Sequence, residues 1–113
     1  MKKAFVLIML ITVSLPVFAQ DVKDVIAGKS FQHEGAGSSG AIYINSFDED
    51  CKNVTLYVDG VKKKTLPVTC GKTAEFDNGN KIITYSIEDG KVKMSVNLGM
   101  NDRTYYPKEV PNP

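Results

Sequence analysis

From residue 29 onward, short stretches of alternating apolar and polar residues are separated by dipeptides typical of tight turns. The segment Asn53–Val58 alternates strictly, with an apolar residue at every second position. A period of two places those side chains on one face of a β-strand. Asp59-Gly60 follows directly, and this dipeptide is favoured in two-residue hairpin turns because both positions need a positive φ. The pattern therefore predicts a chain of strands and hairpins.

The same pattern recurs along the chain, and the only helix-like piece is one turn over residues 21–27. No helix is long enough for the crossover that parallel strands need, so we expect an antiparallel meander. In the second strand, we expect Ile42 and Ile44 to form the aliphatic face toward the core. Tyr43, and Tyr57 of the next strand, lie opposite that aliphatic face, so we expect at least one of them to be partly exposed or to line a cavity. The predicted strands are 29–34, 41–45, 53–58, 61–66, 73–76, 81–87, 91–98 and 103–106.

These strands predict an all-β fold, a small antiparallel meander with one disulfide. We expect a closed or nearly closed barrel of about seven or eight strands, because closure removes exposed sheet edges. A β-sandwich is the alternative. Large side chains are expected to fill the interior and leave little room for a ligand, with Tyr85 in the core. The other large interior residues are Phe31, Phe76 and Met94.

The first 19 residues have the features of a bacterial export signal. Two lysines precede a short apolar run, Pro16 interrupts it, and Val17-Phe18-Ala19 suits cleavage after Ala19. We therefore predict a signal peptide at 1–19, a single domain at 20–107 and a proline-rich tail at 108–113, with regular structure ending at Pro107. The apolar run is too short for a membrane span, so we expect a periplasmic or secreted protein without a membrane anchor.

The charge of the chain is nearly balanced, with 14 basic and 13 acidic residues. A nucleic-acid-binding domain usually carries a strong basic excess, so we expect no nucleic-acid partner. We expect a monomer whose partner is a protein, such as an enzyme target, or a small apolar ligand.

Cys51 and Cys70 are the only cysteines. In an oxidising compartment two cysteines indicate a disulfide. A loop of this length corresponds to roughly 3 kcal/mol of stabilisation in the chain-entropy model. A zinc site would need more ligands than these cysteines and the lone His33 supply, so we expect no metal and no cofactor.

The sequence offers no catalytic constellation. His33 is the only histidine, and a general base needs a positioned nucleophile and an orienting group. Ser38 and Ser39 lie nearby in sequence, but glycines surround them. We interpret His33 as an exposed structural residue and predict that the protein is not an enzyme.

Two charged clusters remain. Asp48, Glu49 and Asp50 precede Cys51, and we interpret them as a solvated turn that could flank a contact surface. Calcium-loop spacing is not maintained beyond Asp50. The lysines 62–64 are expected on an edge strand, with Lys62 and Lys64 on one face. There they discourage pairing with other chains, and contact with an acidic partner is the alternative.

The segment Val25–Phe31 resembles the opening of calycin-type barrels, a helical turn followed by a G-x-W motif, with Phe31 in place of the tryptophan. In those barrels an arginine of the last strand packs across the tryptophan, and Arg103 occupies the corresponding place here. Small secreted bacterial metalloprotease inhibitors share this layout, with one disulfide. The resemblance implies a barrel that binds a protein or a small ligand.

Ser39-Gly40-Ala41-Ile42-Tyr43 is similar to the S-G-x-x-Y motif of bacterial periplasmic lysozyme inhibitors. That resemblance implies that Ser39 and Tyr43 contact the target enzyme. We therefore hypothesise an inhibitor of an enzyme such as lysozyme or a secreted protease; the alternatives are a small-ligand carrier and a structural or adaptor part of an envelope assembly. The predicted contact residues are Ser38, Ser39, Gly40, Tyr43, Asp48, Glu49 and Asp50.

Overall fold

The computed structural model describes residues 21–34 and 40–113. The predicted signal peptide, and Ser38 and Ser39 of the predicted contact loop, lie outside these residues. The described chain contains one short helix and ten strands, which confirms the all-β prediction. In chain order they are α1 (Val22–Ile26), β1 (Ser30–Glu34), β2 (Ile42–Phe47), β3 (Asn53–Val58), β4 (Val61–Pro67), β5 (Thr69–Cys70), β6 (Ala74–Asn78), β7 (Lys81–Glu88), β8 (Lys91–Asn97), β9 (Asp102–Tyr105) and β10 (Lys108–Val110).

The strands form two five-stranded antiparallel sheets. The first has the order β10-β1-β2-β3-β4 and the second the order β5-β6-β7-β8-β9. The hairpin predicted between β3 and β4 is confirmed, since Asp59 and Gly60 have φ values of 51° and 82°. Almost every strand thus pairs with its sequence neighbour, as in a meander.

The chain changes sheets at two places. β4 ends at Pro67 in the first sheet, and β5 begins two residues later in the second. β9 ends at Tyr105 in the second sheet, and β10 begins at Lys108 in the first. Bends of this kind form the corners of packed sheets. Over residues 21–34 and 40–113 the ladders do not join into one closed barrel, so the sandwich alternative fits this arrangement as well.

The sequence predicted that regular structure ends at Pro107, but a further strand follows that residue. Residues 108–110 form β10, whose partner is β1, in the register Ser30↔Val110. Beyond this strand, the hydroxyl of fully buried Ser30 donates a hydrogen bond to Oδ1 of Asn112 at 2.6 Å. The Asn112 amide donates to the carbonyl of Gly28 at 3.2 Å. The last residues are therefore integrated into the first sheet.

Helix α1 covers one end of the space between the sheets. Val22 and Ile26 on its inner side have no exposed surface. Gly28 then turns the chain into β1 with φ +73°, and its N–H donates to the Asp48 carbonyl at 2.9 Å. The positive φ is the reason for glycine here, since a Cβ would meet only the Glu49 side chain, at 3.4 Å.

Aromatic rings fill the space next to α1. The Tyr85 ring is fully buried and lies 4.9 Å from Phe47, 5.8 Å from Phe31 and 6.4 Å from Phe76, measured between ring centroids. Burial of such rings supplies a large share of the apolar area in a small core. The predicted core position of Tyr85 is confirmed.

The predicted disulfide is confirmed. Cys51, in the turn between β2 and β3, is bonded to Cys70 in β5, with 6.0 Å between the Cα atoms. The bond joins the two sheets near α1. Within the described ranges, no helix has the length and apolar character needed to cross a membrane.

The face prediction for β2 is wrong. Asn45 and Phe47 are buried, whereas Ile42 is 40% exposed. Because side chains alternate along a strand, Tyr43 shares the inner face with Asn45, and Ile44 points the other way with Ile42. The face that carries Asn45 can turn inward because Tyr85 of the second sheet accepts a hydrogen bond from the Asn45 side chain.

Candidate functional site

A cavity of about 540 Å³ lies between the sheets, at the end of the strands away from α1. Its wall is formed by side chains of both sheets, chiefly apolar ones. Leu56 is contributed by β3, Ile83 by β7, and Met94 and Val96 by β8. These four side chains are at most 8% exposed, so the inner wall of the cavity belongs to the core.

A buried polar pair separates the cavity from the aromatic cluster. Asn45 lines the cavity and is 4% exposed, and its side-chain amide donates a hydrogen bond to the Tyr85 hydroxyl at 2.8 Å. The same amide nitrogen lies 3.6 Å from the Met94 sulfur. Burial raises the pKa of Tyr85, against a smaller opposing effect of the Asn45 hydrogen bond, so the phenol is neutral at all ordinary pH values.

Three aromatic rings form one side of the cavity. The His33 imidazole of β1 stacks on Tyr43 of β2 at 5.2 Å and lies 5.0 Å from Tyr105 of β9, between ring centroids. Burial lowers the pKa of His33, partly offset by its contact with the Glu34 carbonyl, so the ring is neutral at pH 7. His33 is half-buried and not exposed as predicted, because its ring lies between Tyr43 of the first sheet and Tyr105 of the second.

Cationic side chains surround the opening of the cavity. Lys63 and Lys64 come from the first sheet, and Lys81 and Arg103 from the second. All four residues are exposed, as expected for charged groups at a rim. No acidic residue belongs to the cavity lining in the described part of the chain. Over the same residues, none of the four cations forms an ion pair with a carboxylate.

A β-bulge directs two lysines to this rim. β4 is an edge strand, as predicted, but its pairing with β3 shifts between Leu56↔Lys64 and Tyr57↔Lys62. The extra residue in a bulge changes where the neighbouring side chains point. Lys63 and Lys64 therefore both reach the cavity, and Lys62 does not. The prediction that Lys62 and Lys64 share one face is wrong for this reason.

Among the predicted contact residues that the structure describes, Tyr43 and the acidic cluster 48–50 lie apart. Tyr43 turns into the cavity, and exposed Gly40 lies just before β2. Asp48, Glu49 and Asp50 follow the far end of β2, next to α1. Five residues along a strand correspond to about 16 Å, so one compact contact does not include both Tyr43 and Asp48.

Asp48 has a role within its own turn. Its carboxylate accepts hydrogen bonds from the Lys52 N–H at 2.8 Å and from the Asn53 N–H at 3.3 Å and side-chain amide at 3.2 Å. Although burial alone would raise the pKa of Asp48, these hydrogen bonds together hold it below its ordinary value. Residues 21–34 and 40–113 contain no cluster of potential metal ligands.

We expect Asp48→Ala to lower the free energy of unfolding by about 1 kcal/mol at pH 7, because backbone donors of the turn lose their acceptor. The folded-state pKa lies below the unfolded value of about 3.9, so this contribution is complete at neutral pH and disappears as the pH falls below about 4. Urea denaturation at pH 7 and pH 3 should show the difference from the wild type shrinking in acid. Asp50→Ala, which removes a charge but none of these bonds, is the control, and an equal difference at both pH values would contradict the assignment.

The sequence indicated that Tyr43 or Tyr57 is partly exposed or lines a cavity, but not where the cavity and its rim lie. Lys63, Lys64 and Arg103 meet at one opening because strands distant in sequence lie side by side there. No sequence pattern marked Asn45, which is the last residue of the predicted strand 41–45.

Comparison of the chain with protein-family models, with curated proteins and with solved structures finds no match.

Proposed function

We propose that this protein binds a small, largely apolar molecule in the cavity between its two sheets and catalyses no reaction on it. The observation that carries this proposal is the cavity of about 540 Å³ walled by Leu56, Ile83 and Val96. Ligand sites in proteins are mostly apolar cavities of about 300–1,000 Å³ with a few polar groups that orient the ligand. Asn45 and His33 are such groups here.

We also propose that the two sheets together form a barrel-like wall around the ligand and that the protein is exported. The bent segments β4–β5 and β9–β10 each contribute strands to both sheets, which supports treating the sheets as one continuous wall. A disulfide with Cys51 buried suits an oxidising compartment, in agreement with the export signal that the sequence predicts.

The expectation that large side chains leave little room for a ligand applies to only one half of the interior. Phe31, Phe76 and Tyr85 pack together next to α1. Met94, the fourth of these residues, lines the cavity. A cavity of about 150 Å³ is sufficient for benzene, so this one has room for a ligand on the order of 20 non-hydrogen atoms.

Fluorescence of the neutral apolar dye N-phenyl-1-naphthylamine tests the proposal. We expect saturable binding to the oxidised protein with a Kd of about micromolar order, because burial of apolar area drives it. Ile83→Trp places a bulky ring in the cavity and should weaken binding about tenfold. The measurement is a fluorescence titration of each variant.

Ile82→Trp is the matched control. Ile82 precedes Ile83 on β7, is 43% exposed and does not line the cavity. The same substitution there adds equal bulk to the outer face and should leave the dye affinity unchanged. A wild-type protein that does not bind the dye, or equal effects of the two substitutions, would overturn the proposal.

Inhibition of a lysozyme or a secreted protease remains a prediction of the sequence motif. The inward position of Tyr43 does not favour it, because the motif requires that side chain at an exposed contact. Assays with a lysozyme and a secreted metalloprotease test it directly.

A further inference from the structure

We propose that the ligand is an amphipathic anion, with its apolar part between the sheets and its charged head among Lys63, Lys64, Lys81 and Arg103. This inference rests on the proposed function, since it names the chemical class of the ligand that the same cavity binds. It follows from the way charge is distributed around the opening.

The distribution of charge at the cavity differs from that of the chain as a whole. The chain carries 14 basic and 13 acidic residues. Around the cavity of the described structure, four cationic residues stand against no acidic one. Four acidic residues adjoin lining residues in sequence, and all four are exposed and lie outside the lining: Glu34, Asp59, Asp77 and Asp102. The excess of positive charge is therefore local to the opening.

The cations lie directly beside the apolar wall. Lys64 is paired with Leu56 across β3 and β4, and Arg103 is paired with Val96 across β8 and β9. Each pair consists of one exposed charged residue and one nearly buried apolar residue. A ligand that occupies the apolar wall would therefore bring its outer end within reach of positive charge from both sheets.

Among anionic, neutral and cationic head groups, an anionic one suits this rim best. Neighbouring like charges without counter-charges repel each other, and an anion at the opening relieves that repulsion. A cationic head would add to it. A neutral head would leave the charges uncompensated, although its apolar part could still bind. Arginine and lysine donors also form strong charge-assisted hydrogen bonds to carboxylate and phosphate oxygens.

A series of ligands with one chain and three head groups tests the inference. Dodecanoate, dodecanol and dodecylamine should displace N-phenyl-1-naphthylamine from the protein at pH 7.5, below their aggregation limits. We expect dodecanoate to bind at least about tenfold more tightly than dodecanol, and dodecylamine most weakly. Added salt should reduce the preference, because it screens the exposed charges.

Variants of the lysine and arginine residues identify which side chains bind the anionic head group. Lys64→Gln and Arg103→Gln should each weaken dodecanoate about fivefold to tenfold and leave dodecanol unchanged. Lys62→Gln removes one charge from the same strand as Lys64 but from outside the cavity lining, so the preference should persist. Since all three positions are exposed, we expect the variants to fold, and circular dichroism checks this.

The outcomes separate this inference from the proposed function. If dodecanoate and dodecanol bind equally well, the cavity binds apolar molecules but the inference is overturned. The inference is also overturned if Lys62→Gln and Lys64→Gln reduce dodecanoate binding equally. If neither the dye nor any of the three ligands binds, the proposed function fails and the inference fails with it.

Discussion

Replacing both Cys51 and Cys70 with alanine is expected to lower the free energy of unfolding by about 3 kcal/mol. The bond closes a loop with a sequence separation of 19, and it ties the first sheet to β5 of the second. Without it, the unfolded chain gains conformational entropy, and one covalent link between the sheets is lost. For a domain of this size the melting temperature should fall by roughly 12–24 °C.

Thermal and urea denaturation of the oxidised wild type and the double variant measure this effect. A reducing agent should shift the wild type to nearly the stability of the double variant and leave that variant unchanged. A difference well below 1 kcal/mol would contradict a structural role for the bond.

Tyr85→Ala is expected to cost about 3–5 kcal/mol, because it removes a fully buried ring from the centre of the aromatic cluster. It also leaves the Asn45 amide without its hydroxyl partner, whose hydrogen bond measures 2.8 Å. Since both the buried ring and the hydrogen bond to Asn45 are lost, we expect a largely unfolded variant. Near-ultraviolet circular dichroism and urea denaturation measure this.

Tyr85→Phe separates the two contributions. It retains the ring and removes only the hydroxyl, so we expect a cost of about 1–3 kcal/mol from the unsatisfied buried amide. Asn45→Leu combined with Tyr85→Phe should recover part of that cost, because both members of the polar pair are then apolar. Full stability in Tyr85→Phe would mean that the hydrogen bond contributes nothing measurable.

The Asn45–Tyr85 pair also connects stability with the site. Tyr85 belongs to the packed half of the interior, and Asn45 lines the open half. The hydrogen bond therefore holds the Asn45 side chain in place at the inner end of the cavity. Dye titration of Tyr85→Phe would show whether the Asn45 position affects binding.

Local patterns in the sequence were sufficient to predict most strands. Asn53–Val58 has the predicted bounds, and the Asp59-Gly60 turn has the two positive φ values that its residues favour. Periodicity and turn chemistry act over a few residues, so a single sequence contains them. The disulfide was predictable because only two cysteines exist and the export signal implies an oxidising compartment.

Features that depend on distant parts of the chain were not predictable. β10 is a short segment between prolines whose pairing with β1 joins residues far apart in sequence. The division into two sheets depends on bends next to Pro67 and Pro107, which local propensity does not describe. The lysines reach the cavity because of a bulge, which alternation alone cannot predict.

The sequence by itself determined most of the strands, the turns and the disulfide, since each depends on local backbone preference or on the only available partner. The tertiary structure alone decided which face of β2 is buried. Burying a polar side chain such as Asn45 without a hydrogen-bond partner is costly, so the sequence alone predicted that Ile42 and Ile44 face the core. The Tyr85 hydroxyl, 40 residues away, satisfies Asn45, and His33 stacks on Tyr43. With those partners, Tyr43 and Asn45 lie between the sheets, where they line the cavity on which the proposed function rests.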